Sequence, residues 1–172
     1  TEEVDGAKLQ EALDIVLPKF DLFNVRMRTG FFWYYFEENG NRAPEVKEEQ
    51  AYPCRYILPN KNQSYLFRVS YYKKRINLEV FHVLTDGMGG INFLKELTYQ
   101  YLRLVHLELR EKGGDELSTD TSLNREDSFV RNYRKSAKRG YRSERAYEIS
   151  GERLNPEELG VIHGFVDISA LK

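Results

Sequence analysis

Only one cysteine, Cys54, occurs among the 172 residues, so no internal disulfide can form and no thiolate cluster can hold a metal. Cys54 stands between Pro53 and Arg55 with no histidine near it in sequence, and a nucleophilic role is not expected. An excess of one charge is missing as well: 26 Lys and Arg stand against 27 Asp and Glu, a net charge of −1. Nucleic-acid binding needs a basic excess across the domain and is not expected, and no strong overall charge points to a membrane surface. No apolar run approaches membrane-spanning length, and no basic segment followed by an apolar stretch opens the chain. The expectation is a soluble cytoplasmic protein with no membrane span. Internal repeats and low-complexity tracts are also lacking, which excludes repeat architectures. Histidine is scarce: His106 and His163 are isolated, and His82 and Asp86, four apart, would share a face only on a helix. Their local period is that of a strand and turn, so no metal is expected.

What the chain does have is rings, with 12 Tyr, 10 Phe and one Trp, and enough length for one domain with its own core. Asp5 can cap a first helix in which Leu9, Ala12, Leu13, Val16 and Leu17 recur at helical spacing, with Pro18 at its end. From Phe20 the period becomes two. Phe23, Val25 and Met27 alternate with Asn24, Arg26 and Arg28, and Thr29-Gly30 turns into the aromatic run Phe31 to Phe36, which predicts a hairpin whose rings belong to the core rather than to an acceptor pocket. Glu37 to Tyr52 reads as a surface loop leading to a short Pro53 to Leu58 segment. A second hairpin pairs Tyr65 to Tyr72 with Ile76 to Leu84 across the basic turn Lys73-Lys74-Arg75, and Ile76, Leu78, Val80 and His82 fall on one face.

After Gly87, Gly89 and Gly90, the residues Ile91, Leu94, Leu97, Tyr101, Leu102, Val105 and Leu109 draw one helical stripe to about Arg110, stopped by Gly113-Gly114. Asp115 to Asp127 should be an acidic loop and Ser128 to Lys138 a short helix. Ala146 to Ser150 and Leu159 to Ile168 read as strands, and Ser169 to Lys172 as a new helix just beginning. Together these predict an α/β (α+β) domain in two layers, a mixed but mainly antiparallel sheet packed by helices.

The chemistry concentrates in Glu79 to Gly90, where an apolar strand delivers His82, Asp86-Gly87 follows, and glycines open the helix. An imidazole titrates at about 6.5, so its neutral form can take a proton from a hydroxyl or amine, an effect of roughly 10²- to 10⁴-fold in rate. The competing assignment is structural: His82 as a satisfied core histidine and Asp86 as the cap of the following helix. Seven cations from Arg131 to Arg145 could attract phosphates or an acidic protein, but a solvated face or connector balanced by the preceding acidic stretch is the preferred reading.

The strand-H-x-x-x-D-G-helix arrangement resembles the CoA-dependent acyltransferase superfamily, which shares the chloramphenicol-acetyltransferase-like fold and includes condensation domains and alcohol acetyltransferases. Leu9-Gln10-Glu11-Ala12-Leu13 followed by Pro18 to Phe23 resembles that family's first helix and next strand, and Val166 to Lys172 is similar to the start of its second half. The resemblance covers nearly the whole chain and is nearest to the bacterial alcohol acetyltransferases. It implies that His82 is the general base, that Asp86 is structural and holds an arginine, and that Gly87 keeps room at the channel. Many members carry two consecutive histidines, whereas Phe81 stands at the first position here; the second is the catalytic one.

By the same resemblance, residues 1–166 are an N-terminal half-domain and 167–172 the start of a crossover into a missing C-terminal half. The cofactor-binding residues are unknown, because that other half would supply them. The implied partners are acetyl-CoA or another acyl-CoA as co-substrate, a small alcohol or amine acceptor, the missing half, and a second copy of the fragment if two halves rebuild the channel. The expected activity is O-acyl transfer, weak or absent in the isolated fragment. The alternatives are amide formation from carrier-bound thioesters, as in condensation domains, and a non-catalytic binding or assembly module of the same fold.

Overall fold

A computed structural model describes residues 2–50, 56–58, 62–112, 114, 150–151, 164–167 and 169. The expectations for Cys54, Asp115 to Asp127, Ser128 to Lys138, the basic run Arg131 to Arg145 and His163 lie outside the described residues. The chain divides into two compact units, Thr1–Tyr133 and Arg134–Lys172. In the second unit Asp167 Oδ1 accepts hydrogen bonds from Ser169 Oγ at 2.7 Å and Ser169 N at 2.8 Å. Gly164 to Asp167, part of the strand expected from Leu159 to Ile168, has no regular secondary structure.

In the first unit, helix α1 spans Gly6–Val16 and continues as a 3-10 turn, Leu17–Lys19, that contains Pro18. Asp5 caps α1, its side chain accepting from the amides of Ala7 and Lys8. Leu9, Ala12, Leu13 and Val16 are buried along one face, as their spacing requires. Strands β1 (Val25–Thr29) and β2 (Tyr34–Glu38) form an antiparallel hairpin pairing Val25 with Glu38 and Thr29 with Tyr34. Its rings are not core. Phe31, Phe32 and Trp33 occupy the turn rather than a strand, and every residue from Phe31 to Phe36 is exposed. The period-two pattern was sound for β1, but the hairpin turns at residues 30–33, so the most apolar part of the run sits exposed at the tip.

The loop expected from Glu37 to Tyr52 contains a two-residue strand, β3 (Lys47–Glu48), which lies parallel to β4 (Phe67–Tyr72). Strand β5 (Arg75–Val80) is antiparallel to β4, which gives a three-stranded mixed sheet in the order β3-β4-β5, separate from the β1-β2 pair. Phe67, Val69 and Tyr71 sit opposite Val80, Leu78 and Ile76 on the core face, while Arg68 pairs with Glu79 on the other. Helix α2 runs Gly87–Val105, ends at His106 in extended backbone, and is followed by α3, Leu107–Lys112. The single helix expected to about Arg110 is thus two. The molecule is mixed α and β, with small antiparallel and mixed sheets packed by helices.

The core is organised by rings from four places in the chain. Phe93 of α2 stacks on Phe23 with centroids 4.1 Å apart and planes at 11°, and meets Phe20 and Phe67 edge-on at 5.1 and 5.4 Å. Offset stacking and edge contacts suit the ring quadrupole and add to the burial energy of each side chain. At the other end of α2, the Tyr101 hydroxyl accepts from the Asp5 amide at 3.0 Å, so α1 and α2 lie against one another in opposite directions. The buried stripe of α2 is therefore Phe93, Leu97 and Tyr101, whereas Ile91 and Leu102, expected in it, are exposed.

A polar cluster fixes the base of the first hairpin. The buried Tyr65 hydroxyl donates to the Asn41 carbonyl at 3.0 Å, with Asn24 Oδ1 at 3.1 Å as a second acceptor. Buried Asn39 donates from Nδ2 to the Gln63 carbonyl at 3.0 Å, and Asn41 Nδ2 donates to the same oxygen at 2.8 Å. That carbonyl belongs to a turn in which Gln63 and Ser64 both have positive φ, 54° and 68°, a conformation that non-glycine residues adopt at a cost.

Truncating Phe93 to Ala should lower unfolding free energy by about 3–5 kcal/mol, the range for a large buried ring, and urea denaturation would measure it. A pH effect follows from Tyr65. Burial raises its hydroxyl pKa above the ordinary 10.0, so the unfolded chain loses that proton first. The contribution is complete below about pH 10 and is lost as pH rises through the raised folded value. Urea midpoints measured upward from neutral pH should fall more steeply in the parent than in Tyr65→Phe.

Candidate active site

Strand β5 hands over to α2 through a short turn that the core pins at both ends. Phe81 N donates to the Leu66 carbonyl at 2.8 Å, Leu84 N donates back to the Phe81 carbonyl at 3.0 Å, and buried Leu84 anchors the turn. The strand stops at Val80, so His82 does not extend the row of Ile76, Leu78 and Val80; it lies in the turn and is exposed. This overturns its assignment as a satisfied core histidine. Its imidazole makes no hydrogen bond or ion pair among the described residues.

Asp86 does what the sequence allows for a helix start. Its backbone is extended, and its side chain accepts from Gly89 N at 2.8 Å, while its carbonyl takes the first helical bond from Gly90 N at 3.1 Å. It thereby satisfies one of the amides that every helix leaves open at its N-terminus. Among the described residues Asp86 has no arginine partner.

The glycines differ. A Cβ at Gly89 would come within 1.8 Å of Thr85 Oγ1 and 3.1 Å of Thr85 Cβ, so the backbone can approach the turn this closely only without a side chain. At Gly87 and Gly90 a Cβ would meet nothing within 4 Å. Packing of the protein does not require glycine at those two positions.

His82, Thr85, Asp86 and Gly87 border a groove of about 280 Å³ whose other walls are Leu78 and Val80 of β5 and Gly90, Ile91 and Leu94 of α2. The structure therefore brings His82, Asp86 and Gly87 together around one open space. Sequence reasoning missed the groove walls, because it placed Ile91 and Leu94 in the buried stripe. Spacing alone does not separate wall from stripe, because with Leu94 at i, Leu97 stands at i+3 and Tyr101 at i+7, so the groove wall adjoins the buried stripe on the helix surface.

Chemically, the arrangement offers one exposed imidazole at the rim of an apolar slot. No group of three or more His, Cys, Asp or Glu that could hold a metal occurs among the described residues, and no helix there is long and apolar enough to cross a membrane. Compared with known proteins, the chain matches no family model, no curated protein and no solved structure.

Replacing Asp86 by Ala should cost about 1 kcal/mol of stability through the lost cap, whereas Asp86→Asn should retain most of it. Chemical denaturation of both variants checks this. Equal losses would show that the cap contributes nothing and that the carboxylate charge matters instead.

Proposed function

We propose that this chain is the N-terminal part of a CoA-dependent O-acyltransferase of the alcohol acetyltransferase type. In this reading the β4-β5 pair and the two long helices belong to a chloramphenicol-acetyltransferase-like sandwich, and a further half closes the reaction chamber. The observation that carries the proposal is the place of His82: an imidazole without a partner among the described residues, at the edge of a groove walled by Leu78, Val80, Ile91 and Leu94. An acceptor alcohol has a hydroxyl to be deprotonated and a carbon skeleton to be buried, and the groove presents a base and an apolar wall side by side. The open space at Gly87 and Gly90 supports the reading, since glycine there leaves room for a ligand.

The step balances without a metal. The neutral His82 imidazole takes the hydroxyl proton as the acceptor oxygen attacks the thioester carbonyl of acetyl-CoA or another acyl-CoA. Collapse of the tetrahedral adduct breaks the C–S bond, and the imidazolium returns its proton to the departing thiolate, leaving an ester and free CoA. Asp86 takes no part in proton transfer; it fixes the start of α2 and hence the groove wall. Both substrates are placed in the cytoplasm, a compartment compatible with a lone cysteine.

The test is acetyl transfer from acetyl-CoA to a panel of aliphatic alcohols, read by release of CoA thiol, in the longest natural form of the chain and its His82→Ala variant. Loss of a general base should lower kcat/KM by roughly 10²- to 10⁴-fold. Equal activity in the two proteins would remove His82 as the base and with it the proposed mechanism.

A further inference from the structure

The end of the β1-β2 hairpin carries the longest run of exposed rings among the described residues. Phe31 is 96% exposed, Phe32 91% and Trp33 64%, and Tyr34, Tyr35 and Phe36 continue the series down β2. Single exposed rings need no explanation, but six in succession at a protruding turn make a patch of the kind that marks an interaction site.

Three properties of the tip narrow the partner. It is preorganised: five cross-strand pairs hold the hairpin, and Gly30 N donates to the Trp33 carbonyl at 2.7 Å to close the turn. Its rings are not coplanar: Phe31 and Phe32 lie side by side with centroids 6.4 Å apart and planes at 42°, so no single flat face is presented. The charge nearest the tip is cationic: Arg28 lies opposite Tyr35, while acidic Glu37 and Glu38 sit farther down β2, opposite Arg26 and Val25. Glu37 pairs with both guanidiniums at 2.6 Å, one carboxylate against two cations, and Arg28 remains half exposed. A protein partner would need a matching concave socket for rings of mixed tilt. A fluid lipid interface accepts them in any orientation, and Trp, Tyr and Arg are the residues suited to the headgroup level.

We propose that this tip docks the protein reversibly on an anionic lipid bilayer, with Phe31, Phe32 and Trp33 entering the interfacial region and Arg28 meeting lipid phosphates. The near-zero net charge of the whole chain does not bear on this, because the element is local and mainly hydrophobic. The contact is peripheral and independent of any acyl-transfer chemistry.

The chain carries its own probe, since Trp33 is the single tryptophan. The full 172-residue chain would be titrated with phosphatidylcholine vesicles, alone or mixed with phosphatidylserine at roughly three to one. The expected result is a blue shift of Trp33 emission, quenching by acyl-chain-brominated lipid, and stronger binding to the anionic vesicles. Phe31→Ser with Phe32→Ser should weaken binding by more than about tenfold, with an unchanged circular dichroism spectrum and thermal midpoint because both rings are exposed. Arg28→Gln should remove most of the preference for anionic lipid. Unchanged Trp33 emission at saturating lipid, or vesicle binding without quenching, would overturn the proposal. So would a blue-shifted Trp33 in the lipid-free protein, with light scattering then assigning the cover to a second copy or to another part of the same chain.

Discussion

Phe93 is the contact on which the arrangement depends. It is the ring shared by the segment after α1, strand β4 and helix α2, stacked on Phe23 and edge-on to Phe20 and Phe67. Interiors are packed as densely as organic crystals, so a ring held on three sides sets the spacing of the elements that carry its neighbours. The start of α2 is thereby fixed against the sheet. Because Leu78 and Val80 belong to β5 and Ile91 and Leu94 to α2, the width of the groove beside His82 follows from a contact on the opposite side of the helix.

Local patterns that depend on near neighbours were legible in the chain. The Asp5 cap, the buried face of α1, the β4-β5 hairpin and the opening of α2 at Asp86 all follow from short-range spacing and from which side chains can satisfy open backbone groups. What failed required knowing which face meets what. The run Phe31 to Phe36 has strong β propensity whether or not anything covers it, and the turn position at residues 30–33 leaves it bare. Helix α2 carries apolar residues on two faces, and hydrophobicity alone does not say that Phe93 enters the core while Ile91 borders a groove. The break at His106 is likewise invisible to a period count, since Leu109 continues the apolar spacing.

The candidate site separates two side chains that look alike in the sequence as members of one motif. Asp86 is committed to a backbone amide, a local bond that any helix start can use. His82 is committed to nothing among the described residues, although the turn that holds it is tied at Phe81 and buried at Leu84. The backbone of the turn is thus fixed, while the imidazole it carries stays exposed. The glycines divide in a similar way: Gly89 packs against Thr85, whereas a Cβ at Gly87 or Gly90 would meet nothing within 4 Å.

The turn at Gln63 and Ser64 is held from two distances. Its left-handed backbone is costly, and Tyr65 N closes it locally by donating to the Asn62 carbonyl at 2.9 Å, while Asn39 and Asn41, 24 and 22 residues earlier in the chain, donate to the Gln63 carbonyl. Near neighbours shape the reversal into β4 and distant ones tether it to the base of the first hairpin. One carbonyl oxygen thereby couples the two hairpins, and a change that loosens either is felt by the other.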